Sequence, residues 1–318
     1  MGFADLKNDF VFRRIFATHP HLLCVLLNDL LERQGERTIE SIEYLPSEQL
    51  PLVVGAKLSI LDVRCRDRAG TTFVVEMQLI HHPGFINRVV YNACKAYAGQ
   101  LREGEWYTAL TDVVAISICD FELWPDAEQD AKGLPRVPML SRWNMTERSS
   151  GNHGLLQVQY AFLELPKLPG GKPEPGSLLW AWLFVHAPEL TEVPVEVVPG
   201  AYREALELAN KATFTQEELD AYQRVRDEIM QVAVIAAARW AEGKAEGIAE
   251  GITEGRKSGI AEGELKGKRD TLIRLLARAG IALTEGDRAR IQGCNDAATL
   301  DRWVDNVFGA KSAADVLA

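Results

Sequence analysis

The stretch from Leu58 to Gln78 constrains the fold more than any other segment. Apolar and polar residues alternate along two runs, and Arg68-Ala69-Gly70 separates them. Period-two alternation marks strands whose successive side chains face opposite sides. A three-residue loop ending in glycine is a common hairpin connection, with the glycine supplying left-handed backbone. That loop pairs Asp67 with Thr71, so paired residue numbers sum to 138. In this register Asp62 lies opposite Glu76 and Ile60 opposite Gln78, with facing Cβ atoms ~4.5–5.5 Å apart. Leu61, Val63 and Cys65 then share one face of the first strand, and Leu58, Ile60, Asp62, Arg64 and Arg66 share the other. On the second strand Phe73, Val75, Met77 and Leu79 lie opposite Glu76 and Gln78. A two-residue loop would put the two carboxylates on opposite faces.

Two like charges held side by side on a sheet are destabilising unless something compensates them. One answer is a divalent cation. Hard oxygen ligands suit Mg²⁺, or Mn²⁺ in its place, which takes one or two carboxylates and leaves other positions for water and phosphate oxygens. Such an ion polarises a phosphoryl group and acidifies water, the chemistry of phosphodiester cleavage. The other answer is neutralisation by Arg64, Arg66 or Lys57 as surface ion pairs. Spacing alone leaves both readings open.

Elsewhere the chain reads as a compact α/β unit with a helical continuation. Two helical patterns occupy 5–34, broken at His19-Pro20. Strands are expected near 38–45, 56–66, 71–80 and 111–121, with a helix at 84–103 ended by Gly104, giving the order α-α-β-β-β-α-β. Residues 124–153 read as loop, 155–165 as one more strand, and 177–186, 200–211 and 215–240 as helices. From Trp240 glycine recurs at 243, 247, 251, 255, 259, 263 and 267. Two readings stand for this repeat: a long helix that pairs with a second copy through its glycine stripe, or a spacer. Leu272, Ile273, Leu275, Leu276, Leu300, Trp303, Val304, Val307 and Phe308 then mark a small helical module.

Composition excludes some classes. With Lys plus Arg at 35 against Asp plus Glu at 45, the net charge of −10 argues against a basic nucleic-acid coat. Residues 1–120 hold 12 basic and 15 acidic side chains, a net of −3, so any DNA contact must be local and salt-sensitive. No apolar run approaches the ~20 residues that span a bilayer, and the first residues lack a signal-peptide pattern. Cys24, Cys65, Cys94, Cys119 and Cys294 share no CxxC spacing and are expected as buried free thiols. His81-His82 on a strand would face opposite sides and make a poor metal pair. Hydrolase-triad, NTPase and dehydrogenase fingerprints are absent. The expectation is a soluble cytoplasmic protein with no membrane segment.

Asp62, a hairpin, and then Glu76-Met77-Gln78 resemble the Asp…(Asp/Glu)-x-Lys signature of the PD-(D/E)XK nuclease superfamily. The match is closer to the Rpn family of recombination-promoting nucleases and transposases, in which Gln often replaces the final Lys. Residues 7–16, the segment from Phe85 to Gln100 with Gly104-Glu105-Trp106-Tyr107, and the glycine repeat are similar to that family too. The resemblance implies a restriction-endonuclease-like mixed sheet flanked by helices, followed by an α-helical C-terminal region with a long glycine-repeat helix. It implies a nuclease domain over 1–165, a helical extension over 166–240, the repeat over 241–269 and the module over 270–318. The implied activity is metal-dependent DNA endonuclease, with a catalytically silent DNA-binding or protein-interaction scaffold as the alternative. Carried over by motif, Asp62 and Glu76 would hold the metal with the Met77 carbonyl, and Gln78 would stand where the superfamily has lysine. Gln can orient water by hydrogen bonds but carries no charge. Arg88 and Lys95, with Tyr91 between them, are therefore candidate cations from the next helix, and Asp9 a candidate further carboxylate. Arg64, Arg66 and Arg68 are candidate phosphate contacts.

Overall fold

The computed structural model describes residues 2–49, 59–195, 197 and 199–318. Lys57, Leu58 and the start of the strand expected at 56–66 lie outside them. The chain divides into two compact units, Met1–Ala233 and Val234–Ala318.

The first unit opens with α1 (Asp9–Phe16), started by Asn8, whose side chain accepts the Phe10 N–H. Pro20 begins α2 (Pro20–Leu31), where a proline's missing N–H does no harm, and Glu32 ends it at φ 49°. The chain continues through β1 (Ile42–Tyr44), β2 (Glu48–Gln49), β3 (Ser59–Ile60), β4 (Val63–Asp67) and β5 (Thr72–Gln78). Next come α3 (Phe85–Ala98), β6 (Val113–Cys119), α4 (Asp126–Ala131), β7 (Leu140–Met145) and β8 (Leu155–Glu164). The helices α5 (Ser177–His186) and α6 (Ala201–Leu208) precede α7 (Gln216–Arg278). The main sheet has the order β1–β4–β5–β6–β8–β7; β5, β6 and β8 run parallel, and the other neighbours are antiparallel. This is the mixed sheet flanked by helices that the sequence leads one to expect.

Each face of the sheet has its own core. On one face Val63, Cys65, Phe73, Val75, Val114, Ile116 and Ile118 pack with α1, α2, α5 and α6. Phe16 and Trp180 meet edge to face there, 5.6 Å between centroids, so residues placed in a helical extension share a core with α1. Burying such rings contributes roughly 1.5–3 kcal/mol each. On the other face Val74, Val113, Ala115 and Phe162 pack beneath Phe85, Val89, Ala93 and Ala96 of α3.

The hairpin keeps the expected register: Val63 faces Val75, Arg64 faces Val74, Cys65 faces Phe73 and Arg66 faces Thr72. Gly70 has φ +91°, and a Cβ there would meet Thr111 Cγ2 at 2.8 Å, so the turn needs glycine. The strand before Val63 departs from expectation. It breaks at Leu61-Asp62, where the Leu61 N–H turns to the Ser47 carbonyl. Ile60 therefore pairs with Glu48 rather than Gln78. Leu61 packs on the α3 side instead of beside Val63 and Cys65.

Other departures have local causes. α3 stops at Ala98, and Gly104 lies in the following loop. The expected loop at 124–153 contains α4 and β7. Most of β7 is exposed, so it carries no buried alternation and owes its strand to pairing with β8. Cys94 is exposed on α3, whereas Cys24, Cys65 and Cys119 are buried, and all are free thiols. Among the described residues no single helix is long and apolar enough to cross a membrane.

The second unit holds the C-terminal part of α7 with α8 (Glu285–Gly293), α9 (Ala297–Asn306) and α10 (Ala313–Val316). Thr284 and Ser312 close capping boxes, and Leu272, Leu276, Ile291, Leu300, Trp303 and Val316 form its core. Phe308, expected on the last helix of that module, lies beyond the end of α9 and is exposed. Within α7, a Cβ added at any repeat glycine would meet nothing within 4 Å.

Gly70→Ala should cost about 1–2 kcal/mol from the left-handed backbone alone. The Thr111 clash adds to that. Thermal melting of the variant should show a drop of several degrees, at about 2–4 °C per kcal/mol for a unit this size. An unchanged midpoint would mean the turn adopts another form.

Candidate active site

The break at Asp62 shapes the neighbourhood of Glu76. β5 pairs with β6 along all seven residues, from Thr72 opposite Val113 to Gln78 opposite Cys119. On its other side β5 pairs with β4 only as far as Val75. The next outward-pointing group on that side is the Met77 N–H. In place of a strand carbonyl, Asp62 Oδ2 accepts it at 2.7 Å. In a strand the N–H and C=O of one residue point the same way, so the Met77 carbonyl also faces the gap beside Asp62.

Asp62 is reached from α1 as well. Arg13 Nη2 lies 3.3 Å from Asp62 Oδ1, while Arg13 Nε donates to Asp9 Oδ1 at 2.9 Å. Asp9 is thus brought to the site through Arg13. Across the gap Glu76 is buried at 8% exposure on the α3 side of β5. Asn92 Nδ2 donates to Glu76 Oε1 at 2.8 Å, and Arg88 Nη2 lies 3.6 Å from Oε2. Burial pushes both carboxyls above their ordinary range. Asp62 rises to about 7, with the Asp9 and Glu76 charges adding to the burial and the Met77 N–H and Arg13 opposing it. Glu76 is raised by burial against the pull of Asn92 and Arg88.

Gln78 is bonded at both ends of its carboxamide. Its Oε1 accepts from Arg88 Nη2, and its Nε2 donates to the Ile80 carbonyl at 3.0 Å. Lys95 is buried, and its Nζ lies 5.7 Å from the centroid of the half-exposed Tyr91 ring. Arg88 of α3 meets both Glu76 and Gln78. Beyond the end of β5, the Asp120 N–H bonds the Gln78 carbonyl and the Asp120 carboxylate pairs with Lys7 at 2.8 Å. A cleft of about 800 Å³ lies on the outer side of α1, lined by Asp9, Arg13, Arg14 and Arg224 among others.

The arginines of β4 separate into two kinds. Arg68 at the loop lies 3.5 Å from Glu40, both exposed. Arg64 and Arg66 are half-buried, and the Nε of each is buried without a hydrogen-bond partner among the described residues. The Arg64 guanidinium is lowered by burial and by the Arg66 charge. Arg64 and Arg66 form no ion pair with the two carboxylates; among the described residues Arg13 pairs with Asp62 and Arg88 with Glu76, and Lys57 lies outside them.

Residues 6–235 match PD-(D/E)XK nuclease family transposases. The chain belongs to that family. The match takes in α1, the whole main sheet, α5, α6 and the start of α7. No curated protein and no solved structure matches the chain. Nucleases of this family generally use divalent metals. Among the described residues no three His, Cys, Asp or Glu side chains gather. The donors present are two carboxylates and a carbonyl, an all-oxygen set that suits Mg²⁺ or Mn²⁺ with remaining positions left to water and phosphate. Arg13 and Asn92 were missed in the sequence. Arg13 carries the signal of a basic residue four after Asp9, and Asn92 that of a polar residue among Val89, Ala93 and Ala96 on a buried helix face.

The raised Asp62 carboxyl sets a pH dependence. Its unfolded value is ~3.9, so the stabilisation from holding the proton is complete below that pH and lost as pH rises through about 7. Asp62→Asn mimics the protonated form at every pH. Between pH 5 and 8 the stability difference should move in the variant's favour by a few kcal/mol, on the order of 1.4 kcal/mol for each pH unit crossed below the folded value. Thermal melts of both proteins without divalent cations measure this, and parallel pH profiles would contradict a carboxyl raised that far.

Proposed function

We propose that this chain is a metal-dependent DNA endonuclease acting in recombination or mobile-element biology in the cytoplasm. The observation that carries the reading is the pair of carboxylates, half-buried Asp62 and buried Glu76, held on either side of a break between β4 and β5, each on a fixed N–H donor and facing a guanidinium. In this reading Asp62, Glu76 and the Met77 carbonyl hold Mg²⁺ or Mn²⁺, which supplies charge neutralisation at the phosphoryl oxygens and acidifies water. Asn92 and the Met77 N–H fix the two carboxylates before substrate arrives. Gln78 orients Arg88, and Arg88 brings to the site the positive charge that lysine carries in the superfamily signature. Arg64 and Arg66, whose Nε groups have no partner among the described residues, are suited to backbone phosphates beside β4. Asp9 acts through Arg13, and Lys95 with Tyr91 supports the α3 face. Arg68, exposed at the loop, extends the basic row.

The glycine stripe of α7 supports a homodimer. Its glycines are open, and Ile248, Ile252 and Ile260 beside them are more than half exposed. Seven glycines in an exposed helix cost roughly 1 kcal/mol each relative to alanine, a cost that close backbone pairing with a second copy would offset. Two protomers would also bring two sites to a duplex. A second reading, a catalytically silent DNA-binding or protein-interaction scaffold, rests on the neutral Gln78.

Plasmid nicking with Mg²⁺ or Mn²⁺ separates the readings. Asp62→Ala and Glu76→Ala should each lower the rate at least about 100-fold, and Arg88→Gln about 10- to 100-fold. Activity surviving both carboxylate substitutions would remove the site. Wild-type protein that binds DNA without cutting it would favour the scaffold. For assembly, light scattering should give twice the monomer mass for the full chain and one monomer for residues 1–240. Equal monomer masses would exclude the glycine-stripe dimer.

A further inference from the structure

Each carboxylate of the site is held in two different ways. The inner oxygens are bound by fixed donors: Asp62 Oδ2 by the Met77 N–H and Glu76 Oε1 by buried Asn92. The outer oxygens meet long, partly exposed side chains. Arg13, 40% exposed, lies 3.3 Å from Asp62 Oδ1, and Arg88, 45% exposed, lies 3.6 Å from Glu76 Oε2. Each guanidinium is also tethered from outside the pair, Arg13 by Asp9 and Arg88 by Gln78. Two monovalent cations thus stand against the outer oxygens of the pair.

We propose that Arg13 and Arg88 are exchangeable counter-ions of the site. They neutralise Asp62 and Glu76 in the cation-free protein. When a divalent cation takes the outer oxygens, they swing, still tethered by Asp9 and Gln78, onto nucleic-acid phosphates. This rests on the endonuclease reading. It adds that cation loading creates positive charge at the mouth of the site, so cation and nucleic acid bind with positive coupling, and the coupling is reciprocal. The donor counts allow it. A guanidinium has five N–H groups in a planar fork, enough to keep one bond to the tether and offer the rest to a phosphate. Asp9 and Gln78 thereby acquire a positioning role that neither performs by touching the reacting phosphate.

The test measures binding rather than turnover. Mn²⁺ affinity of the full chain is read by electron paramagnetic resonance of the free ion, the site component being the part lost in Asp62→Ala. Arg13→Gln and Arg88→Gln remove the competing charge and should each tighten Mn²⁺ binding about 5- to 10-fold, within the usual range of site coupling. Arg13→Lys and Arg88→Lys keep the charge and should stay near wild type, which separates competition from altered folding. Anisotropy of a fluorescein-labelled phosphorothioate duplex should show that saturating Mn²⁺ tightens DNA binding by wild type about 5- to 10-fold. In the doubly substituted Arg13→Gln, Arg88→Gln protein most of that gain should disappear. If wild type binds Mn²⁺ at Asp62 while the glutamine variants bind it equally or more weakly, the exchange is overturned and the metal site stands. If wild type binds no Mn²⁺ there, both are overturned.

Discussion

Where β4 parts from β5, the Met77 N–H is left facing Asp62, and the carboxylate takes it at 2.7 Å. An unmet backbone donor in a sheet interior costs about 1–3 kcal/mol, and a bond to a carboxylate is among the stronger replacements. The same break opens a gap at the end of the sheet beside Glu76 and turns Leu61 to the α3 side. It also aims Asp62 across the strand line instead of along the sheet normal. Had β4 continued in register through Ile60, Asp62 would be an ordinary strand residue, and the Met77 groups would be consumed by the ladder. A local loss of pairing is therefore what supplies both a carboxylate and a carbonyl to one place.

The surrounding charges follow from burying two acids near each other. Each keeps one oxygen on a fixed donor and meets a guanidinium from a different helix, Arg13 on α1 or Arg88 on α3. The helices can reach because the sheet is covered on both faces, α1 lying over one and α3 over the other. That compensation is incomplete, since both carboxyls remain above their ordinary range. The overall charge of −10 has little bearing on this balance, because screening confines exposed charges to about 8–10 Å. Arg64 and Arg66 of β4 are held without partners for Nε among the described residues.

Much of the fold was legible because local patterns and packing agree. Leu22, Leu23, Leu26, Leu27 and Leu30 read as a buried helix face and are one. Gly70 fixed the hairpin register, since a three-residue loop with a left-handed glycine allows one pairing and the buried faces permit no slip. β7 and α4 were not legible. An edge strand exposed along most of its length has no alternation to read, and its partner strand supplies its hydrogen bonds. Within the site, Asp62, Glu76, Gln78 and Arg88 could be singled out from motif and spacing. Arg13 and Asn92 could not, because their importance comes from contacts with residues 49 and 16 positions away.

By itself, then, the sequence determined the hairpin, its register, the two acids in it and the helices that cover the sheet. Turn chemistry and hydrophobic period act over a few residues and are written into the chain. Only the tertiary structure decided that the strand breaks at Asp62, that Gln78 accepts a bond from Arg88, and that Arg13 faces Asp62. These depend on where β3 finds a partner and how helices settle on a sheet. Such outcomes are set by competition among distant groups for the same hydrogen bonds, and no local pattern records who wins.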